Sequence, residues 1–186
     1  GGLRADTWLT DSKGKALAFD GHHLCKAYII GLAQNDANKI SRESLDPATY
    51  CGTLKDINLT DYNQNADTFY GNYGKIIQLI KEAQPKAKIF VITDVLEYVE
   101  NYGLNAVIRD MPNLFTNVYL MDLYKYRDKY VSDSWMVAQK RSGHYNAVAY
   151  RKMASYIGGF INQIMVDNPS EFREIEFIGT NYSFYD

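Results

Sequence analysis

The chain has 186 residues with 46% apolar, 23% charged and 14% aromatic side chains, the mixture of one globular domain and not of a disordered chain. Twenty Lys and Arg stand against 22 Asp and Glu, a formal charge of −2. That balance removes the electrostatic drive for a nucleic-acid partner or an anionic membrane surface. No apolar run approaches the roughly 20 residues of a membrane span. Two cysteines, Cys25 and Cys51, are too few for a disulfide framework.

The chain opens at Gly1-Gly2-Leu3-Arg4 with neither an initiator Met nor a leader pattern, and reads as a cut through a longer protein. Turn formers then dominate to Gly21, with a short helix expected at Lys15–Phe19. Ala27-Tyr28-Ile29-Ile30-Gly31-Leu32 is a continuous apolar run, the pattern of a strand buried on both faces. The polar stretch from Gln34 to about Asp67 reads as a long loop, a lid or substrate wall.

Asp67 or Thr68 caps a helix to about Ala83, with Phe69, Tyr73, Ile76, Ile77 and Ile80 on one stripe, and Gln84-Pro85 stops it. Lys88–Thr93 is a second buried strand. A helix over Tyr98–Met111, ended by Pro112, leads to a third strand at Val118–Asp122. Tyr124–Tyr130 is a short amphipathic piece. The last helix spans about Asn146 to Met165, and a tail with the run Ile175–Ile178 follows. Strand and helix alternate without hairpin signals, which predicts crossovers onto a parallel sheet in a three-layer α/β/α sandwich. The domain covers residues 1–168, with residues 169–186 as a tail packed on it.

Ligands of such sheets lie beyond the carboxyl ends of the strands, at Ala33–Asn38, Asp94–Glu97 and from Asp122 to His144. After the first strand, the Asn35 amide can aim N–H at a developing oxyanion, and Asp36 can tie the loop by accepting backbone N–H. Asn and Asp are equally common in plain strand-to-loop turns. His144, in Ser142-Gly143-His144-Tyr145-Asn146, is placed to act as general base and then acid, or is a surface-loop histidine. Lesser signals favour structural readings. His22-His23 with Cys25 has no second ligand pair at zinc spacing. Tyr50, Tyr62, Tyr70 and Tyr73 either line a pocket or serve core and rim packing. Lys81, Lys86 and Lys88 form a solvated turn, and no phosphate-binding glycine loop is present.

Gly-Leu-Ala-Gln-Asn-Asp at the end of a strand, the block from Asn72 to Thr93, and Gly-His-Tyr-Asn-Ala-Val-Ala-Tyr-Arg-Lys-Met-Ala from Gly143 together resemble the SGNH hydrolases, the GDSL-like lipases, esterases and acylhydrolases. The likeness runs from Gly2 to about Met165. It implies a flavodoxin-like sheet and hydrolysis of an acyl ester by serine and histidine. It also implies Asn35 and the Gly2 N–H as oxyanion donors, Asp36 as loop support and His144 as general base. The family's nucleophilic Ser lies upstream of the glycine block, so this chain is expected to lack it, together with an inner strand, and to be inactive alone. Arg141 stands where the family often has an Asp, so the resemblance implies a Ser-His dyad whose imidazole is oriented by a backbone carbonyl or another acid, Asp133 or Asp122 among the candidates, and Ala33 replaces a glycine. A polar, aromatic loop after Asn35 favours a small-molecule or glycan ester, a carbohydrate O-acetyl group above a lipid. No metal or organic cofactor is implied. A non-catalytic glycan-binding or structural module of the same fold is the other reading.

Overall fold

The computed structural model describes residues 2–10, 25–130, 135, 138–141 and 144–172. The predicted helix at Lys15–Phe19, the pair His22-His23, Ser142, Asp133 and the run Ile175–Ile178 lie outside them.

Helix α1 (Ala5–Thr10) precedes strand β1 (Ala27–Ile30). The stretch after β1 is mostly helical: α2 (Gln34–Glu43), α3 (Pro47–Cys51) and two 3₁₀ turns at Leu54–Asp56 and Tyr62–Gln64. The expected long loop is therefore corrected. A narrow stripe, Ala37 and Ile40 beside the preceding Ala33, is buried, and it suffices to seat a helix whose other faces are polar. Asp46 caps α3 by accepting from Thr49 N–H at 2.8 Å, with Pro47 in the first turn, where its missing N–H costs nothing.

Helix α4 (Phe69–Ala83) starts at Thr68, whose hydroxyl accepts from Gly71 N–H, and ends at Gln84. Phe69, Tyr73, Ile76, Ile77 and Ile80 are all buried, each side chain worth roughly 1.5–3 kcal/mol of apolar transfer. Strand β2 (Lys88–Ile92) follows. The single helix expected at Tyr98–Met111 is two, α5 (Glu97–Asn101) and α6 (Leu104–Leu114). The break falls at Gly103, whose φ of +83° is open to glycine and strained for other residues. Pro112 stands inside the last turn of α6 and not beyond it. Strand β3 (Val118–Met121) and helix α7 (Leu123–Tyr130) complete the alternation. A short antiparallel pair, β4 (Lys140–Arg141) and β5 (His144–Tyr145), was not signalled in the sequence. Asn146 then caps α8 (Ala147–Asp167) by accepting from Ala149 N–H.

The three main strands form one parallel sheet in the order β1-β2-β3, with Ile30 beside Val91 and Val91 beside Leu120. Side chains alternate across it. Ile30, Ile89, Val91 and Val118 join α4 and α6 in the larger core. On the opposite face Ile92 meets Leu123, Tyr145, Met153, Ile157 and Phe160 beneath α8. Helices thus cover both faces of an open α/β sheet. The second covering is thin, since Ala149 is the single fully buried residue of α8. At the start of the tail, Phe172 stacks on Phe90 with centroids 6.4 Å apart.

Strand β1 departs from expectation. Among the described residues it lies at a sheet edge, and Ile29 is 53% exposed. Apolar composition sets what a strand can bury, while its position in the sheet sets what it does bury. Of the three lysines expected in a solvated turn, Lys86 is exposed in one, whereas Lys88 Nζ donates to Asn117 Oδ1 at 2.5 Å and Lys81 Nζ to the Thr116 carbonyl at 2.7 Å. Among the described residues no helix is long and apolar enough to cross a membrane.

Candidate functional site

A crevice of about 220 Å³ opens where the three strands end. Gly31, Leu32 and Gln34 follow β1, Ile92 to Val95 close β2, and Leu123 follows β3. Tyr145 of β5 and Tyr150 and Met153 of α8 form the remaining wall. Loops after parallel strands fan apart where neighbouring crossovers diverge, which is why the opening falls at this edge.

The β2 side of the wall is fixed from behind. Buried Asn105 accepts from Asp94 N–H at 2.8 Å and donates to the Asp94 carbonyl at 2.9 Å. Thr93 donates its hydroxyl proton to Asp122 at 2.9 Å and accepts from Tyr124 N–H. Arg109 bridges Asp122 and Glu100, each at 2.8 Å. Burial raises the Asp122 carboxyl, but hydrogen bonds from Arg109, Lys125 N–H and Thr93 outweigh it and hold the group below the ordinary aspartate range. Asp122 is therefore committed to Arg109 and Thr93. A polar residue on the buried face of α6 was the one available sign that Asn105 braces this wall.

The asparagine candidate is tied to the residue that follows the glycine candidate. Asn35 Nδ2 donates to the Leu3 carbonyl at 3.0 Å, linking residues 32 apart in sequence. The adjacent Asp36 accepts from Ala5 N–H at 3.3 Å and from the Tyr50 hydroxyl at 3.0 Å, both on Oδ1. Asp36 is 1% exposed, and its Oδ2 has no hydrogen-bond partner. Burial pushes its carboxyl up to about 6 against those two donors. Two neighbouring residues of α2 thus hold the segment bearing Gly2, which has a φ of +98°.

Neither Asn35 nor His144 lines the crevice itself, although their chain neighbours Gln34 and Tyr145 do. Adjacent residues of a strand point to opposite sides. With Tyr145 turned into the crevice, His144 is exposed. The backbone of Arg141 pairs with that of His144. The tyrosines singled out in sequence serve elsewhere: Tyr73 is fully buried, Tyr50 bonds Asp36, Tyr62 bonds Glu82 and Tyr70 bonds Asp110. Among the described residues, Tyr145 and Tyr150 are the aromatic residues that line the crevice. Cys51 is buried with its thiol on the Tyr102 carbonyl, whereas Cys25 is exposed.

Fold and crevice define an open α/β chain with a small ligand-sized site at the carboxyl edge of a parallel sheet. No family model matches the chain, and neither a curated protein nor a solved structure does.

Proposed function

We propose that the chain is part of an SGNH-type serine esterase of three-layer, flavodoxin-like architecture, acting on an acyl ester of a small molecule or glycan. The observation that supports this reading is the hydrogen bond from Asn35 Nδ2 to the Leu3 carbonyl, which ties the residue after Gly2 to the start of α2, beyond the end of β1. One amide hydrogen of Asn35 holds Leu3, and the second serves, with the Gly2 N–H, as donor to the oxyanion. His144 is the base. It takes the proton of a serine hydroxyl as the oxygen attacks the ester carbonyl, then delivers it to the departing alcohol when the C–O bond breaks. Water, deprotonated by the same imidazole, releases the acid and restores the serine.

Among the described residues lining the crevice none is a serine or cysteine, and the resemblance assigns the nucleophile to a segment upstream of the Gly2 block. Among the described residues no strand pairs with the outer edge of β1, and Ile29 is exposed, which supports a further strand there that would carry it. Fluorophosphonate labelling and 4-nitrophenyl acetate hydrolysis test this on the 186-residue chain and on the protein with its upstream sequence. The longer protein is expected to label and hydrolyse, and the chain alone to do neither. Asn35→Ala in the longer protein should lower kcat/KM by about 10²–10³. A longer protein inert to the probe and to every acyl ester tried would overturn the assignment.

The exposure of His144, whose neighbour Tyr145 lines the crevice in its place, favours a second reading, a binding module that keeps the fold to hold a glycan. The same labelling separates the two.

A further inference from the structure

The segment 2–10 is held to the body of the molecule by α2. Asn35 Nδ2 donates to the Leu3 carbonyl at 3.0 Å, Asp36 Oδ1 accepts from Ala5 N–H at 3.3 Å, and Lys39 Nζ lies 3.7 Å from Asp6. Positions 35 and 36 are both helix neighbours of position 39, so one end of α2 clasps the chain as it enters α1. Ala5 is buried, and Trp8 and Leu9 pack against the larger core where α1 meets α4. The middle tie differs from the other two. Asp36 is 1% exposed, and its Oδ1 has two donors, Ala5 N–H and the Tyr50 hydroxyl. Among the described residues its Oδ2 has none.

A neutral carboxyl tolerates this arrangement: Oδ1 receives both donors, the proton sits on Oδ2, and one hydroxyl lacks an acceptor. Ionisation puts charge on a buried oxygen without a donor, a far larger cost than an unpaired hydroxyl. The bonds to Oδ1 strengthen with charge, yet burial outweighs them and pushes the carboxyl up to about 6. The groups around it do not titrate in its place. Arg4 and Asp6, at the start of α1, pair with each other, and Asp6 also with Lys39. From α3 and its cap come Tyr50, Cys51 and Asp46, and from α4 Tyr73. Helix α5 also packs on α2. Its Tyr98 donates to Asn38 at 3.3 Å, and its Glu97 and Glu100 pair with Arg127 and Arg109. Asp6, despite its burial, and Asp46 are held low by hydrogen bonds. Burial pushes the Tyr50, Tyr73 and Tyr98 phenols and the Cys51 thiol upward. Of these shifted groups, Asp36 is the one that titrates between pH 5 and 7.5. Its charge is relieved by admitting water to Oδ2, and the cover that yields is α1, six residues long and anchored by the bond to Asp36 itself. Helix α3 is pinned independently, by its Asp46 cap and by the Cys51 thiol on the Tyr102 carbonyl at 3.2 Å.

We propose that Asp36 is a pH-sensitive latch: its neutral carboxyl keeps α1 closed on α2, and its ionisation opens α1 to water while the rest of the molecule stays folded. The opening stands independently of the esterase reading, and only its consequence for Gly2, on the same segment, rests on that reading. The closed form binds the proton more tightly than the open form, where the carboxyl returns to its ordinary 3.8. Opening is therefore rarest in acid, grows as pH rises to about 6 and then levels off. Amide hydrogen exchange of the 186-residue chain from pH 5 to 7.5 is the test, read as protection factors so that base catalysis of exchange itself is removed. The Ala5 and Trp8 amides, bonded to Asp36 and to the Arg4 carbonyl, should lose about tenfold in protection across that range. They should also stay less protected than α4 throughout, which marks a local opening. Asp36→Asn cannot ionise and should hold both amides near their acid level. Tyr50→Phe removes one donor to the carboxylate and should move the midpoint of the change to higher pH. The proposal falls if the parent's α1 protection is flat with pH, or if Asp36→Asn keeps the parent's dependence. It falls equally if α1 exchanges only together with α4, or if α3 opens in its place. Should Asp36→Asn not fold, Tyr50→Phe decides, and an unmoved midpoint overturns the latch. A longer protein inert towards esters would leave each of these outcomes standing.

Discussion

Asp36 is the residue whose chemistry is most altered by its surroundings. A carboxylate is taken out of water, given two donors on one oxygen and none on the other. Among the described residues, Arg4 just before α1, Asp6 within it, Tyr50 and Cys51 of α3, and Tyr73 of α4 are titratable groups that interact with it. Its folded value of about 6 lies above the ordinary 3.8, so the folded chain binds this proton more tightly than the unfolded chain does. The resulting stability is complete below pH 3.8 and is lost as pH rises through about 6, a change of roughly 2–3 kcal/mol for a shift of this size. Asp36→Asn cannot ionise and should lack that slope. Urea unfolding of the two proteins from pH 4 to 7.5 measures it: the difference in unfolding free energy should move in favour of the Asn variant as pH rises. Parallel curves would show that the carboxyl does not titrate in this window.

Among the elements, α5, α6 and β3 are joined by one guanidinium. Arg109 pairs with Glu100 of α5 at 2.8 Å and with Asp122, directly after β3, at 2.8 Å. Arg109→Met keeps the stem but leaves two partly buried carboxylates facing each other. The cost should be about 2–3 kcal/mol, below the 3–5 kcal/mol of a fully buried broken pair because water reaches Arg109 and Glu100. The same variant should release the Asp122 carboxyl upward from its depressed value. In the parent, that pairing contributes stability above the unfolded carboxyl value and loses it as pH falls through the lower folded one. Chemical denaturation at pH 7 and at pH 3 should therefore show the variant's deficit shrinking in acid.

The elements also show what a sequence reading can reach. Strands β2 and β3 and helix α4 were legible because apolar runs and a 3-4 stripe report burial directly. Helix α2 was not, since Gln34-Asn35-Asp36 and Ser41 look like turn chemistry, and its apolar stripe is only Ala37 and Ile40 with Ala33. The break at Gly103 was hidden inside one continuous helical period. At the site, the opening at the carboxyl ends of the strands was legible through topology. The roles of Tyr145 and Tyr150 were not, because 16 tyrosines give composition no means of selecting two. The outward turn of His144 depends on the β4–β5 pair, which two-residue strands do not announce.

Over the whole molecule, packing is lopsided. The sheet face under α4 and α6 carries most of the buried side chains, while α8 spans 21 residues with only Ala149 fully enclosed. A long helix held by half-covered side chains can lift away without dismantling the other layer. Amide deuterium uptake should follow that division: the backbone of α8 exchanges through a low-energy opening, and α4 and β2 exchange only when everything unravels. In mild urea the two sets should separate by an order of magnitude or more in rate, whereas uniform uptake would mean a single cooperative block. Tyr150 and Met153 ride on the looser layer, so one wall of the crevice can swing while the strand-end wall stays put. Occupancy by a ligand would then be visible as slowed exchange along α8, far beyond the residues it touches.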